Sequence, residues 1–290
     1  MALVESDFRF RWRRLSFFQK CTWILVYLLF AVITVTCVLP LAWMLGTSLK
    51  EYSKIFVYPP NLIPNPVTFE SYIKLFNSVP FFRYFLNTVI CAVTVTVSQL
   101  LFSSLAAYSF ARLEFPGRDK IFMLYLCTMM VPGQVTLITQ YVIVSRLHLV
   151  NTYGAIIVPV MFGSAYGTFL LRQFFMTLPK DLEDAARIDG CGKLRIYAQI
   201  IMPLSTSALI TLGIFVFLWQ WNDMMWPLLV INSEEMRPMA LGLTLLSTSM
   251  FGTDWALLMA GACVCVGPVI ILYAFCQRFF IEGIVVTGMK

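Results

Sequence analysis

The chain has 290 residues, 59% of them AVILMFWYC and only 12% DEKR, against roughly half apolar and a quarter charged in a soluble domain. With 21 Lys plus Arg, 15 Asp plus Glu and a mean hydropathy of +0.80, there is too little charge to cover a water-facing surface. A soluble globular protein is excluded, and the net charge of +6 is a question of placement rather than of nucleic-acid binding.

Residues 1–20 form a basic segment in which Arg9, Arg11, Arg13 and Arg14 cluster, a topology anchor beside anionic lipid headgroups. Six uncharged runs follow: Cys21–Leu49, Tyr84–Ala111, Ile121–Ser145, Leu147–Leu171, Ile196–Asn222 and Trp255–Gln277, each of 23 to 29 residues. A bilayer core takes about 20 residues of helix, so the reading is an all-α membrane protein with six transmembrane helices. The first run is too long, and lacks the small-residue site, for a cleaved signal peptide. Pro40, Pro132, Pro159, Pro203 and Pro268 interrupt the runs, and kinks or helix starts are expected there. With the N-terminus inside, 15 Lys and Arg fall on the inner loops and 6 on the outer ones; both termini are therefore expected in the cytoplasm.

The outer segment 50–83 holds Pro59, Pro60, Pro64 and Pro66 before a short amphipathic helix, Phe69–Phe76. It reads as an extended strap, either a spacer or a docking surface for an extracellular partner. Cysteines inside apolar runs behave as small hydrophobes, so no disulfide framework or metal site is implied; the only histidine, His148, belongs to the turn between the third and fourth runs. Gly163 and Gly167 form a GxxxG suited to helix packing.

Between the fourth and fifth runs lies LPKDLEDAARIDGCGKLRIYAQIIMPL, residues 178–204. Pro179 suits a first turn, and Asp181, Glu183 and Asp184 place negative charge at the positive end of the helix dipole. Glu183 and Arg187 stand four apart on one face. Ala185 and Ala186 leave the surface bare, Gly190 and Gly192 break the helix, and a second helix starts near Lys193. A small acidic helix with an alanine patch can enter another protein's cleft; composition alone favours a solvated amphipathic loop. GCGKL is no phosphate loop, since Arg187 stands where a glycine and Leu194 where a magnesium-binding hydroxyl is needed.

This segment resembles the EAA loop of the membrane subunits of binding-protein-dependent ABC importers. Asp184, Ala185, Ala186, Gly190, Ile200 and Pro203 fall at its spacing, with Asp184 in place of glutamate and Met202 in place of leucine. FARLEFPGRDK, LLRQFFMTLP, WNDMMWPLL and LMAGACVCVGPVIILYAFCQRFFIEGI resemble the carbohydrate branch, in particular the second permease of the maltose and glycerol-3-phosphate importers. The resemblance implies a type I ABC importer permease fold: a first helix over 21–49, a core over 84–282 and a tail over 283–290 in which Gly283, Gly288 and Lys290 reach the ATPases.

It further implies a coupling loop in which Glu183, Asp184, Ala185, Ala186, Asp189 and Gly190 dock on a partner ATPase. ATP and Mg would be bound by that ATPase dimer, with no cofactor in this chain. The remaining implied partners are a homologous second permease, an extracellular solute-binding protein, membrane lipid and the sugar, with no nucleic acid; the location would be the bacterial cytoplasmic (inner) membrane. The cargo would be a sugar or oligosaccharide, or alternatively glycerol-3-phosphate or another polyol.

An ion-coupled secondary transporter would keep charged groups within its spans, and the six runs hold no Asp, Glu, Lys or Arg. No HExxH, GxSxG or paired intramembrane carboxylate suggests an enzyme. For a substrate path, Trp219, Trp221, Asn222, Asp223 and Trp226 combine stacking faces with amide and carboxylate groups; tryptophans near a span end also serve as interfacial anchors.

Overall fold

The computed structural model describes residues 16–246 and 253–288, with side chains to residue 277. The cluster of Arg9, Arg11, Arg13 and Arg14 and the terminal Lys290 lie outside the described residues. Every regular element described is helical, and the chain divides into two compact units.

The first unit comprises the chain up to Tyr72 with Trp255–Cys263. Helix α1 (Phe17–Ser48) opens on a capping box: Ser16 Oγ accepts from the Gln19 amide while the Gln19 side chain accepts from the Ser16 amide. Its apolar side chains from Phe17 to Leu45 are largely exposed all round, as a lipid-facing helix requires. Burial begins at its last turn, Gly46–Ser48. Past a short turn at Tyr52–Lys54 the proline segment runs without regular structure. It is tied back where Lys50 Nζ donates to the Asn61 carbonyl and the Thr68 amide to the Leu49 carbonyl at 3.0 Å. The Leu62 carbonyl rests on Gly46, where a Cβ would meet its oxygen at 2.3 Å. Gly46→Val is therefore expected to lift the strap and make residues 55–66 markedly easier to cleave by limited proteolysis of right-side-out vesicles.

Helix α2 (Glu70–Ser78) is the short amphipathic helix of the sequence reading. The second unit holds residues 73–254 and the chain from Val264 onward. It is built on α3 (Phe81–Arg112), along which run α7 (Ala165–Thr177) and α10 (Thr206–Asn222). Small residues allow the close approach: a Cβ on Gly167 would lie 2.9 Å from Ser103 Oγ of α3 and 3.1 Å from Leu212 of α10. Gly163 also meets Ser103, but from the turn before α7 with φ +93°. The pair thus serves packing without forming one helix face.

Three of the apolar runs depart from straight spans, each at a proline. The third is α4 (Arg118–Cys127), continued to Met130, and α5 (Gly133–Arg146), bent by 98° at Pro132. The fourth breaks around Pro159 into α6 (Tyr153–Ile157) and α7, with His148 in the turn that follows α5. Ahead of the fifth, α8 (Asp181–Ile188) leads to the helical stretch α9 (Lys193–Leu204), which meets α10 at 80°. Pro203 has no amide hydrogen and crowds the carbonyl four residues back, and the chain widens to a π turn over Tyr197–Ile201. Three described helices are long and apolar enough to cross a membrane unbroken, or up to five spans if each bent pair crosses once. Two short helices, α11 (Met225–Val230) and α12 (Met239–Leu246), precede α13 (Trp255–Gly288), which contains Pro268 and carries the expected tail as helix through Gly283.

Candidate functional site

The segment 178–204 forms a helix, a turn and a second helix. The α8 amides of Glu183 and Asp184 bond the Lys180 carbonyl, and three carboxylates in the first turn offset the exposed amide end. The helix stops in a Schellman arrangement: the Cys191 amide donates to the Ala186 carbonyl at 2.9 Å and the Gly190 amide to the Arg187 carbonyl at 3.0 Å. Gly190 itself takes φ +80°, the left-handed conformation that glycine adopts at no steric cost.

The two faces of α8 then do different things. Asp184, Ala185, Asp189 and Gly190 are exposed, as are Ile188, at 88%, and Leu194. Acidic groups around a small apolar patch make a shallow surface that another protein can approach closely. Glu183 and Ala186 point the other way and are buried. Ala186 enters the core made by Ala107 and Tyr108 of α3, Leu171 and Phe175 of α7, and Ile196, Tyr197 and Ile201 of α9; Ile200 and Met202 pack on its edge, while Pro203 stays exposed.

Glu183 meets Arg112, the last residue of α3, with Nε 3.0 Å from Oε1 and side-chain exposures of 3% for the arginine and 4% for the glutamate. Neither of these two atoms makes an aligned hydrogen bond with a described residue, so the attraction is ionic. Arg112 Nη2 also donates to the carbonyls of Phe175 and, at 2.7 Å, Leu178. One guanidinium thus holds the ends of α3 and α7 and the inner face of α8. The pairing of Glu183 with Arg187, read from their spacing, is present at 3.8 Å but secondary; Arg187 Nη1 instead approaches Asp184 Oδ1 at 3.2 Å. Sequence reading counted Arg112 only as a cytoplasmic charge. The available signal was an acid and an alanine three positions apart, Glu183 and Ala186, which marks an inward face needing a cation.

The side chains of the second group of candidates differ in exposure and in partners. Trp221 is buried, stacks on Phe217 at 5.2 Å and donates Nε1 to the Cys265 carbonyl. Trp226 is buried with Nε1 on the Ala155 carbonyl at 2.8 Å. Asn222 Nδ2 donates to the Leu218 carbonyl one turn back. Asp223, just past the end of α10, accepts from the Trp226 amide; burial pushes its carboxyl above the usual range, and bonds from the Trp226 and Met225 amides pull against that. Only Trp219, 78% exposed, presents its indole outward.

Residues 22–285 match the family described as the binding-protein-dependent transport system inner membrane component. The chain belongs to that family. It is 34% identical over 278 residues to the arabinooligosaccharides transport system permease protein AraQ of Halalkalibacterium halodurans, covering 94% of this chain and 99% of the relative. It is 35% identical over 240 residues to the sn-glycerol-3-phosphate transport system permease protein UgpE of Yersinia pestis, covering 80% and 85%. A solved bacterial ABC transporter involved in the import of the acidic polysaccharide alginate superposes with a TM-score of 0.84 at 21% identity, over 92% of this chain and 99% of that one. The fold is therefore that of an ABC importer permease. As a member of this family the chain is an inner-membrane permease subunit, not an enzyme.

Proposed function

We propose that this permease subunit serves an ATP-driven importer that carries an oligosaccharide inward by alternating access. Its six spans would be the three straight helices, the two bent pairs and the broken fourth run, α6 with α7, each crossing once, and would place both termini in the cytoplasm. Its partners would be a homologous permease, two ATPase subunits that bind ATP and Mg, and an extracellular solute-binding protein. The observation that carries the reading is the two-faced α8: Asp184, Ala185, Asp189 and Gly190 on an open acidic surface, Glu183 and Ala186 locked to α3 and α7 behind it. A partner ATPase that closes on the outer face would drag α3 and α7 through Arg112.

The likeness to a permease named for arabinooligosaccharides supports an oligosaccharide cargo. A glycerol-3-phosphate cargo is the second reading, supported by relatives named for that substrate. For the presence of a binding protein, a second structural neighbour, of TM-score 0.65 and 14% identity, is an alginate transporter in complex with an alginate pentasaccharide-bound periplasmic protein. Asp184→Lys tests the docking. Reversing an exposed interfacial charge is expected to cut uptake by the reconstituted importer by about tenfold or more, with the chain still inserted and still co-purifying with the second permease. Unchanged uptake would remove Asp184 from the docking surface.

A further inference from the structure

Behind Trp219 lies a cleft of about 490 Å³ between α3, α7 and α10, within the roughly 300–1,000 Å³ of small-molecule sites. Its walls carry three aromatic rings, Tyr166, Phe215 and Trp219. Tyr166 and Phe215 stand edge to face at 6.4 Å. Its polar groups are Gln99 near the middle of α3, Gln220 on α10 and Ser164 before α7. Gln220 is only 8% exposed, yet neither it nor Gln99 has a side-chain hydrogen bond to any described residue, while Ser164 Oγ is engaged by the Gly167 amide.

Two unpaired carboxamides are costly against hydrocarbon, so this cleft faces water or a polar ligand rather than lipid. Aromatic faces with carboxamides between them suit the apolar faces and hydroxyls of a sugar ring. Among the described residues that line it there is no Asp, Glu, Lys, Arg or His. A phosphate or uronate would leave its charge without a counter-ion there.

We infer that this chain itself holds a subsite for a neutral sugar ring in that cleft, with Trp219 as the stacking face and Gln99 and Gln220 as hydroxyl partners. The inference rests on the importer reading above and narrows its cargo to uncharged oligosaccharides.

The test uses the complete importer in vesicles, supplied with arabinotriose, maltotriose or cellotriose as neutral probes and glycerol-3-phosphate or trigalacturonate as anionic ones. Trp219→Leu and Gln220→Leu should each raise the uptake KM for the neutral probe by about tenfold, the effect of losing one stacking or paired contact. They should also lower the sugars carried per ATP hydrolysed, and Trp219→Phe should keep most of both. An unchanged KM in both Leu variants overturns the subsite. Loss of the second permease on purification of Trp219→Leu also overturns it, assigning the cleft to a subunit interface. An unmodified importer that moves only an anionic probe sinks the neutral assignment and leaves the importer standing; one that moves none of the probes sinks the sugar reading itself.

Discussion

Arg112→Met is expected to destabilise the folded chain by about 3–5 kcal/mol, the cost of leaving one member of a buried ion pair without its partner. Glu183 would keep Arg187 at 3.8 Å, but that guanidinium is half exposed and so is a weak substitute. The carbonyls of Phe175 and Leu178 would lose their donor as well. Glu183→Leu alone leaves the opposite charge stranded and should be nearly as harmful. The double variant Arg112→Met with Glu183→Leu removes both charges and should recover much of the loss, though not the part due to the two carbonyls. The measurement is the thermal midpoint of the purified subunit in detergent for all four proteins, read as a double-mutant cycle. A double variant no better than either single one would show that the pair is not what binds α8 to α3.

The helical character of the chain was legible because charge-free runs of more than twenty residues have few readings in a water-soluble fold. Those runs do not report where a helix bends. Ile121–Ser145 contains no charge, yet Pro132 turns it through 98°; the proline was visible, the angle was not, because it is set by what packs on either side. The outer face of α8 was legible from the spacing of Asp184, Ala185 and Gly190, since a glycine after a short acidic helix fixes where the helix ends. Its inner face was not, because the partner of Glu183 lies 71 positions away at Arg112.

Arg172 makes the same point: it reads as one more cytoplasmic charge, but its guanidinium sits over the Phe122 ring at 4.3 Å and donates to the Phe110 carbonyl. The tryptophans were ambiguous for a different reason. An indole suits a sugar, an interface and a helix contact alike, and only position separates Trp221 and Trp226, whose N–H groups are used on backbone carbonyls, from Trp219.

Gly242→Val is expected to be as damaging as the loss of Arg112, with no charge involved. A Cβ at Gly242 would lie 2.3 Å from Cδ2 and 2.6 Å from Cε2 of Tyr84, closer than any real contact, so the ring or α12 must move. Neither is free. Tyr84 is buried and donates its hydroxyl to Glu234 at 3.1 Å. The segment leading to α12 is fastened to α3 by Asn87 Nδ2, which donates to the carbonyls of Glu235 and Arg237, and by Thr88 Oγ1, which accepts from the Met239 amide at 2.7 Å. Overpacking a fixed core costs about 1–3 kcal/mol, and breaking a buried bond to Tyr84, Asn87 or Thr88 adds about 1 kcal/mol each. Gly190→Ala is the control, since a Cβ there meets nothing within 4 Å and only the φ of +80° resists it, a penalty of about 1 kcal/mol. The thermal midpoint should therefore fall several times further for Gly242→Val than for Gly190→Ala. Equal falls would mean that Tyr84 can swing away from α12, and that the hydrogen bonds of Asn87 and Thr88, rather than the close packing of Gly242 on the Tyr84 ring, hold this end of α3.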